Sequence, residues 1–489
     1  MFSWPLNIIL IGMVTIPLLG KIVNKRVQKK VPSIYAILLL LIATYFMYRL
    51  YIEVTQIGAV TIIAHQTPNL LFSAILRIDM IGVFLGFLHL LIGLLSVIYS
   101  IKFMENDSGV TLYYSLTLGM IAGMIGTVFA GDFLTLYVFW ELMCLTSYTL
   151  VAFRKQKWAP VEAGFKYLVM SVTGSATILL SMSLLYGMTG TLNFVALGAS
   201  LTRATSSTIW SYVTLVLVIA GFGIKAAIVP FHTWLPDAHS AAPSPISALL
   251  SGVMVQTGAV VLLRVLMTVF GSMQASWQML LTFFAILTMF GGNLMALMQD
   301  DLKRLLAYST IAQTGYIIFG FSTASYQGLT GSFFHILNHA IIKSLLFLCA
   351  GGFIYRTGTR SLRELQGIRQ TMPLTSITIS IGAVAISAIP PLNGFWSEVM
   401  IVSAGIEVGM LTFSILMALN MLLSVAYYLR IIYLIVLKKP TLLSEKAFDI
   451  PVTMLFPILI PALLCFIIGM FPGPFIGLAQ QAAQTLVST

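Results

Sequence analysis

A few charged side chains stand inside long apolar stretches of the sequence. Lys225 follows LVLVIAGFGI, and Glu141 and Lys166 occur in two earlier apolar stretches. A charged group near the centre of a bilayer costs about 2.5–3.5 kcal/mol on insertion scales, so such residues usually line a hydrated path or a proton relay. The chemistry that these residue types indicate is the binding and release of protons.

Glu141 and a lysine such as Lys225 are of opposite charge and can pair. Burial favours the uncharged forms of a carboxyl group and an amine, whereas an ion pair favours the charged forms. A pair that forms and separates would therefore act as two coupled proton sites. A permanent salt bridge within the membrane is the structural alternative.

A second group of titratable residues follows one helix face. His335, His339 and Lys343 occur at i, i+4 and i+8 in FFHILNHAIIKSLLF, where they drift only about 40° per step and lie about 6 Å apart. Histidine exchanges protons near neutral pH without a large perturbation. Two other interpretations are a pair of hydrogen-bonded core histidines and a metal site, although the third residue of the stripe is a lysine and no further ligand accompanies it.

Prolines interrupt two of the apolar stretches close to a charge. Lys225 precedes Pro230 by five residues, and Glu398 follows Pro391 by seven. Proline removes a backbone hydrogen bond, so the freed carbonyl groups need protein or water around them at membrane depth. A broken helix beside a charge is typical of ion sites in transporters, and a packing kink is the alternative.

The composition indicates that helices crossing a membrane position these residues. Of 489 residues, 59% are hydrophobic and only 8% are charged, and the mean hydropathy is +0.99. Apolar windows of about 20 residues, the length that crosses a bilayer, cover nearly the whole sequence. They predict an all-α polytopic membrane protein with about fourteen transmembrane helices. We place three helices in residues 1–104, five in each of 110–270 and 277–437, and the last in 450–489. Because five is odd, two successive five-helix units would be inverted repeats.

The net charge of +11 has a membrane explanation. Most of the 26 basic residues, including Lys25, Arg26 and Lys29, fall in alternate loops. By the positive-inside rule these loops face the cytoplasm, which places both termini on the outer side of the membrane. The basic excess therefore does not indicate nucleic-acid binding. Cys144, Cys349 and Cys465 are isolated in apolar stretches and predict neither a disulfide framework nor a metal site.

Six segments of the sequence resemble a known family. They are GDFLTLYVFWELM, EAGFKYLVMSVTGS, FGIKAAIVPFHTWLPDAHSAAPSPISALLSG, QDDLKRLLAYSTIAQTGY, FHILNHAIIKSLLFLCAGG and AISAIPPLNGFWSE. Together they resemble the antiporter-like membrane subunits shared by respiratory complex I, Mrp-type multisubunit Na+/H+ antiporters and membrane-bound group 4 hydrogenases. The resemblance runs from about residue 110 to 440. It implies fourteen helices, two inverted five-helix repeats with broken helices, and a central hydrated axis of charged residues.

The resemblance also implies roles for individual residues. Glu141 and the broken-helix Lys225 would be the pair whose proton affinities switch, and Lys166 would be the lysine on the helix between them. The other residues that it implies in proton translocation are His232 and His239 near the inner mouth, His335, His339 and Lys343 across the middle, and Glu398 at the far end. Gln256 departs from the family pattern, because many relatives carry a lysine there.

The sequence therefore predicts an ion-translocating subunit of a larger complex in the cell membrane of a prokaryote. Protons are the expected ion. Sodium is an alternative, with Asp132 as a possible cation contact. No nucleotide-binding or cysteine-cluster motif occurs, so we expect no cofactor and no catalysis by this chain alone. Expected partners are related antiporter-like chains and other membrane subunits, with a soluble redox arm as a further candidate. The rival functions are a stand-alone transporter of an organic solute and a membrane-embedded metalloenzyme.

Overall fold

A computed structural model describes residues 3–22, 30–65, 74–203 and 209–487. The basic residues Lys25, Arg26 and Lys29 of the first predicted inner loop lie outside these ranges. The helices of the first half are α1 (Trp4–Ile22), α2 (Val31–Ile57), α3 (Met80–Phe103), α4 (Val110–Phe129), α5 (Phe133–Val151), α6 (Trp158–Thr189), α7 (Phe194–Arg203), α8 (Ile209–Lys225), α9 (Trp234–Ala241), α10 (Ser244–Leu249) and α11 (Val255–Thr268). Those of the second half are α12 (Gln274–Leu297), α13 (Leu302–Ser322), α14 (Tyr326–Thr357), α15 (Pro373–Ile386), α16 (Asn393–Glu407), α17 (Leu411–Ile432), α18 (Leu442–Glu445), α19 (Val452–Met470) and α20 (Gly473–Val487).

Ten helices in the described ranges are long and apolar enough to cross a membrane, and three shorter helices are also apolar. Two spans contain one π-helical turn each, Leu250–Met254 between α10 and α11 and Tyr433–Leu437 after α17. The polytopic helical fold predicted from hydropathy is therefore confirmed. The count of fourteen stays a prediction, because length and composition do not establish it for every helix.

Some elements of the fold were not predicted. Strands β1 (Val60–His65) and β2 (Ala74–Ile78) form an antiparallel pair between α2 and α3. The short helices α7, α9 and α18 and the separate C-terminal helix α20 were not predicted either. The α20 sequence GPFIGLAQQAAQTLV contains three glutamines and packs small side chains against α3 and α14. Hydropathy detects long apolar segments and therefore misses short or polar elements of this kind.

The helix that carries the histidine stripe lies at the centre of the bundle. The apolar windows of α14 and of the α10–α11 span are completely buried within the chain, whereas only 33% of the α17 window is buried. Helices α3, α10, α13, α15, α16, α19 and α20 surround α14. Polar groups on α14 therefore face protein and not lipid.

Corresponding helices of the two halves have matching ends. Asp132 caps α5 and Asp301 caps α13, and each carboxylate accepts a hydrogen bond from the backbone N–H three residues later. Helices α6 and α14 both have 32 residues, and both end at a glycine in the left-handed region, Gly190 (φ 71°) and Gly358 (φ 75°). These matches support 110–270 and 277–437 as the two repeats, which we retain as a proposal.

Both predicted helix breaks are present and have similar local geometry. Helix α8 ends at Lys225 and α9 begins at Trp234, while α15 ends at Ile386 and α16 begins at Asn393. Ala227 and Ala388 each follow the end of the first segment with φ 53°, a conformation that is uncommon for a residue with a side chain. Pro230 and Pro391 each come three residues after that alanine. Lys225 and Ser387, at the start of the two breaks, are buried, whereas Pro230 and Pro391 are exposed.

Candidate ion pathway

Lys225 lies in a buried pocket of hydroxyl groups and aromatic rings. Its side chain ends α8 and is 2% exposed. The Lys225 ammonium donates to the hydroxyl groups of Ser147 (3.3 Å) and Tyr167, and it lies 4.6 Å from the centre of the Tyr167 ring. Trp234 stacks on Tyr167 at 4.1 Å and donates to the Ile224 carbonyl at 2.8 Å, which holds the pocket together across the break.

Glu141 lies near this pocket but does not pair with Lys225. It stands on α5 six residues before Ser147, about 9 Å along the helix axis. Among the described residues, no N···O distance of 4.0 Å or less joins Glu141 to a basic group, and its Oε1 atom is buried without a hydrogen-bond partner. Neutral hydroxyl groups thus hold Lys225 while Glu141 remains separate.

Lys166 lies at a half-exposed contact between helices and not in the Lys225 pocket. Its side chain is 51% exposed and pairs with Glu162 (2.8 Å) on its own helix and with Asp237 (3.2 Å) on α9. Arg304 of α13 also pairs with Asp237, at 3.0 Å. Asp237 thereby joins α6 and α13 to the short helix that follows the first break.

We expect Asp237→Asn to lower ion translocation by about two- to five-fold without abolishing it. The substitution weakens both links to α9, and partly exposed ion pairs are each worth about 0.2–1 kcal/mol. Initial rates in vesicles containing the reconstituted complex would measure the effect. Glu162→Gln is the matched control, because it removes only the partner of Lys166 on the same helix. If both variants transported at the wild-type rate, the Asp237 contacts would have no role in transport.

His335 and His339 occupy adjacent turns at the centre of the bundle, and their ring centres are 6.3 Å apart. Both are buried. His335 contacts Gln313 through Nε2 (2.7 Å) and Ser397 through Nδ1 (3.0 Å). His339 Nδ1 lies 3.4 Å from the amide nitrogen of Gln256, and no described residue contacts its Nε2. Gln256 therefore reaches the histidine stripe from the first half of the chain.

Lys343 occupies a pocket chemically similar to that of Lys225. It is completely buried, and its ammonium donates to the hydroxyl groups of Ser309 (2.5 Å) and Tyr428 (3.1 Å) and to the Leu306 carbonyl (3.2 Å). No carboxylate lies within 4.0 Å among the residues the structure describes. Both halves thus contain a buried lysine held by one serine, one tyrosine and no counter-charge.

Glu398 ends the row of polar residues in the second half. Its side chain is 1% exposed, and its Oε1 atom has no partner among the described residues. The Gln313 amide, whose oxygen contacts His335, lies beside the Glu398 carboxyl group. Gln313 therefore lies between the histidine stripe and the glutamate, and its amide nitrogen has no hydrogen-bond partner among the described residues.

The remaining predicted residues lie at the edges of this arrangement. His239 is buried against Phe347, with 4.8 Å between ring centres, and neither of its nitrogens has a partner in the described ranges. His232 is partly buried, and its Nδ1 is likewise without one. The Asp132 carboxylate accepts hydrogen bonds from Thr135 and from the Ile75 N–H, so a cation there would have to replace these donors.

Sequence reasoning missed several buried polar residues. His89 contacts Thr257 at 2.8 Å, and Arg264 pairs with Asp79 at 2.6 Å. Lys303 is 2% exposed and donates to a backbone carbonyl at 2.6 Å beside a cavity of about 260 Å³. The available signal was a charge or a histidine inside or beside an apolar stretch. Lone histidines and charges at helix ends usually have structural roles, so the signal was weak.

Comparison with known proteins identifies the family. The family model described as NADH:quinone oxidoreductase/Mrp antiporter, TM, matches residues 130–424. The chain is 32% identical to F(420)H(2) dehydrogenase subunit N of Methanosarcina mazei over 447 residues, which cover 90% of each protein. It is 34% identical to NADH-quinone oxidoreductase subunit N of Desulforudis audaxviator over 386 residues, 76% of each.

The fold is also that of a solved relative. A chain of the membrane-bound sulfane sulfur reductase, an archaeal respiratory membrane complex, matches with a TM-score of 0.89 and 27% identity. The match covers 99% of this chain and 97% of that one. The resemblance predicted from the six sequence segments is thus confirmed, and the chain belongs to the NADH:quinone oxidoreductase/Mrp antiporter transmembrane family.

Proposed function

We propose that this chain is an antiporter-like subunit that translocates protons within a multisubunit membrane complex. One observation carries the proposal. Two buried lysines, Lys225 on α8 and Lys343 on α14, have no carboxylate within 4.0 Å among the described residues, and a row of polar side chains lies on or next to the fully buried helix α14. The residues to which we assign the route are Glu141, Lys225, Gln256, His339, His335, Gln313 and Glu398, with Lys343 one turn from His339.

The environment of Lys225 explains how such a route would work. A buried ammonium held by hydroxyl groups and the Cys144 thiol lacks the compensation that a carboxylate provides. An approach of Glu141 would stabilise the charged lysine, and its withdrawal would favour release of the proton. Tyr167 and Ser147 would keep the amine in place in both states. Alternation between these states would load and empty the Lys225 site.

His239 and His232 would connect the row to one membrane surface through the segment after the first break. We assign them this role because both have unpartnered ring nitrogens near the ends of helices. Lys166 would act through Asp237 by holding that segment. We further propose that the chain lies in the cell membrane of a prokaryote with both termini on the outer side, since the basic residues collect in alternate loops. Asp132 is left outside the route because protein donors occupy its carboxylate.

The partners follow from the relatives, whose names identify them as subunits of larger membrane enzymes. Gentle extraction of the tagged protein from its native membrane, with identification of every co-purifying subunit, would test this. Soluble redox subunits would indicate a redox-driven pump. Only sister antiporter-like chains and small hydrophobic subunits would indicate an Mrp-type assembly. A chain that purifies and transports alone would contradict the proposal.

Reconstitution of the purified complex in vesicles would test the ion. We expect acidification or alkalinisation of the lumen when the complex is driven. A proton signal that persists without Na+ would support protons as the transported ion. A signal that requires Na+ would assign exchange between the two ions.

A further inference from the structure

Ser397 lies at the contact between the histidine stripe and the second broken helix. It occupies the start of α16, directly before Glu398, and it is completely buried. Three polar groups surround its hydroxyl oxygen: His335 Nδ1 at 3.0 Å, Asn338 Nδ2 at 3.1 Å and the Gly394 carbonyl at 3.1 Å. A serine hydroxyl has one hydrogen to donate and two positions at which it accepts. All three neighbours are therefore satisfied at once only when His335 Nδ1 donates to Ser397; otherwise the hydroxyl hydrogen serves either Nδ1 or the Gly394 carbonyl.

The direction of one of these hydrogen bonds is fixed. Asn338 Nδ2 also donates to the backbone carbonyl of Asn393 at 3.0 Å, and a carbonyl only accepts. The Asn338 Oδ1 accepts from the Asn393 side chain at 3.0 Å. Asn338 consequently donates to Ser397 at all times and uses one of its two accepting positions. The hydroxyl hydrogen and the second accepting position remain for His335 and Gly394.

The hydrogen bond at His335 Nε2 determines whether Nδ1 accepts or donates. His335 Nε2 lies 2.7 Å from Gln313 Oε1, which only accepts, so Nε2 carries a hydrogen. In neutral His335, Nδ1 then has a free lone pair, and Ser397 donates to it. In protonated His335, Nδ1–H donates to Ser397, and the hydroxyl hydrogen turns to the Gly394 carbonyl. Both ring nitrogens of His335 and the Ser397 hydroxyl are paired in both states, and only the Gly394 carbonyl loses its hydrogen bond from Ser397 when His335 is neutral.

We infer that Ser397 is a positioning residue whose hydroxyl rotates between His335 and Gly394, so that His335 can take up and release a proton without leaving either of its ring nitrogens unpaired. An unpaired buried atom costs about 1–3 kcal/mol, which corresponds to about 5- to 160-fold in population. His339 has no comparable group at its Nε2 among the described residues. The inference rests on the proposed proton route. The titratable groups around His335 are His339 and Lys343 on its own helix, Tyr316 on α13 and Glu398 on α16.

The test compares complexes that carry Ser397→Ala and Ser397→Thr, reconstituted in vesicles and assayed for proton translocation over a range of pH. We expect Ser397→Ala to lower the rate by about ten-fold or more. The alkaline limb of its pH–rate profile should move to lower pH. Protonated His335 has lost the acceptor of its Nδ1–H, so it becomes protonated only at a higher proton concentration. Ser397→Thr keeps the hydroxyl group and should restore both the rate and the limb.

Ser403→Ala is the matched control on the same helix, because the Ser403 hydroxyl is exposed and bonds only to the Val399 carbonyl at 2.9 Å. We expect it to behave as the wild type. In a His335→Gln background, Ser397→Ala should cause no further loss, since the hydroxyl group acts through His335. If Ser397→Ala fails to assemble, Ser397→Cys, a weak donor and acceptor, should show an intermediate loss and the same shift.

Three results would overturn the inference: an unchanged alkaline limb in Ser397→Ala, a Ser397→Thr rate as low as that of the alanine variant, or an additive loss in the His335→Gln background. Failure of the proposed function is distinguishable from these. A wild-type complex that moves no protons would remove the function itself. A wild-type complex that pumps while the Ser397 variants pump equally would remove only the role of Ser397.

Discussion

Lys225→Met should abolish proton translocation while the complex still assembles. Methionine approximates the length and apolar stem of lysine, so it fills the pocket formed by Tyr167 and Trp234. It has no ammonium group to carry a proton. It also removes a buried charge that has no carboxylate partner in the described part of the chain, and replacing such a charge with an apolar group is often neutral or stabilising. We therefore expect loss of transport without loss of folding, measured as vesicle acidification and as the yield of intact complex.

Lys438→Met is the matched control for this variant. Lys438 is exposed beyond the end of α17 and lies over the ring of Tyr433. The same substitution there should leave transport within about two-fold of the wild type, as is usual for surface positions. Normal pumping by Lys225→Met would remove Lys225 from the route. A Lys225→Met complex that does not assemble would mean that the lysine has a structural role.

Glu141→Gln tests whether the negative charge of Glu141 is needed for transport through Lys225. The substitution keeps the size of the side chain but cannot supply the negative charge that would stabilise Lys225. We expect it to stop translocation as Lys225→Met does, with assembly unchanged. If Glu141 and Lys225 act as one unit, the double variant should be no worse than either single variant.

The sequence predicted the buried charges because each interrupts an otherwise apolar stretch. It could not predict their partners. Ser147 and Tyr167 meet Lys225 from two other helices, and Ser309 and Tyr428 do the same for Lys343. Serine and tyrosine occur throughout the spans, so nothing in their local sequence marks these positions. These serines and tyrosines become partners of the lysines only because helices distant in the sequence pack together.

Lys166 shows that a charge in an apolar stretch need not be buried. It stands in an apolar stretch, EAGFKYLVMSV, yet its side chain is 51% exposed and pairs with two acidic residues. Helix α6 begins at Trp158, so Lys166 lies in the third turn of a 32-residue helix and not near its centre. A long aliphatic stem also lets a lysine cover apolar surface while its charge reaches polar groups. Hydropathy measures the average of a window and not the depth of one side chain.

Glu398→Gln should also abolish translocation, with assembly intact. Glu398 is 1% exposed and has no basic partner within 4.0 Å in the described part of the chain. An unpaired carboxylate is costly to bury, so the protein tolerates this position because the carboxyl group can carry a proton. Glutamine has the shape and polarity of that protonated form, and it can still contact Gln313. It cannot release a proton, so the second half of the route would end at His335.

The same helix supplies the control. Glu407, the last residue of α16, is exposed, and Glu407→Gln should leave the rate unchanged. Vesicle acidification and complex yield for the two variants would separate loss of a proton site from loss of structure. If Glu398→Gln pumped normally, the proton would have to leave the central row before α16, and Lys343 with Tyr428 and Ser309 would be the remaining exit in the second half. In that case Lys343→Met should stop transport. The two variants therefore decide whether the proton leaves through Glu398 or through Lys343.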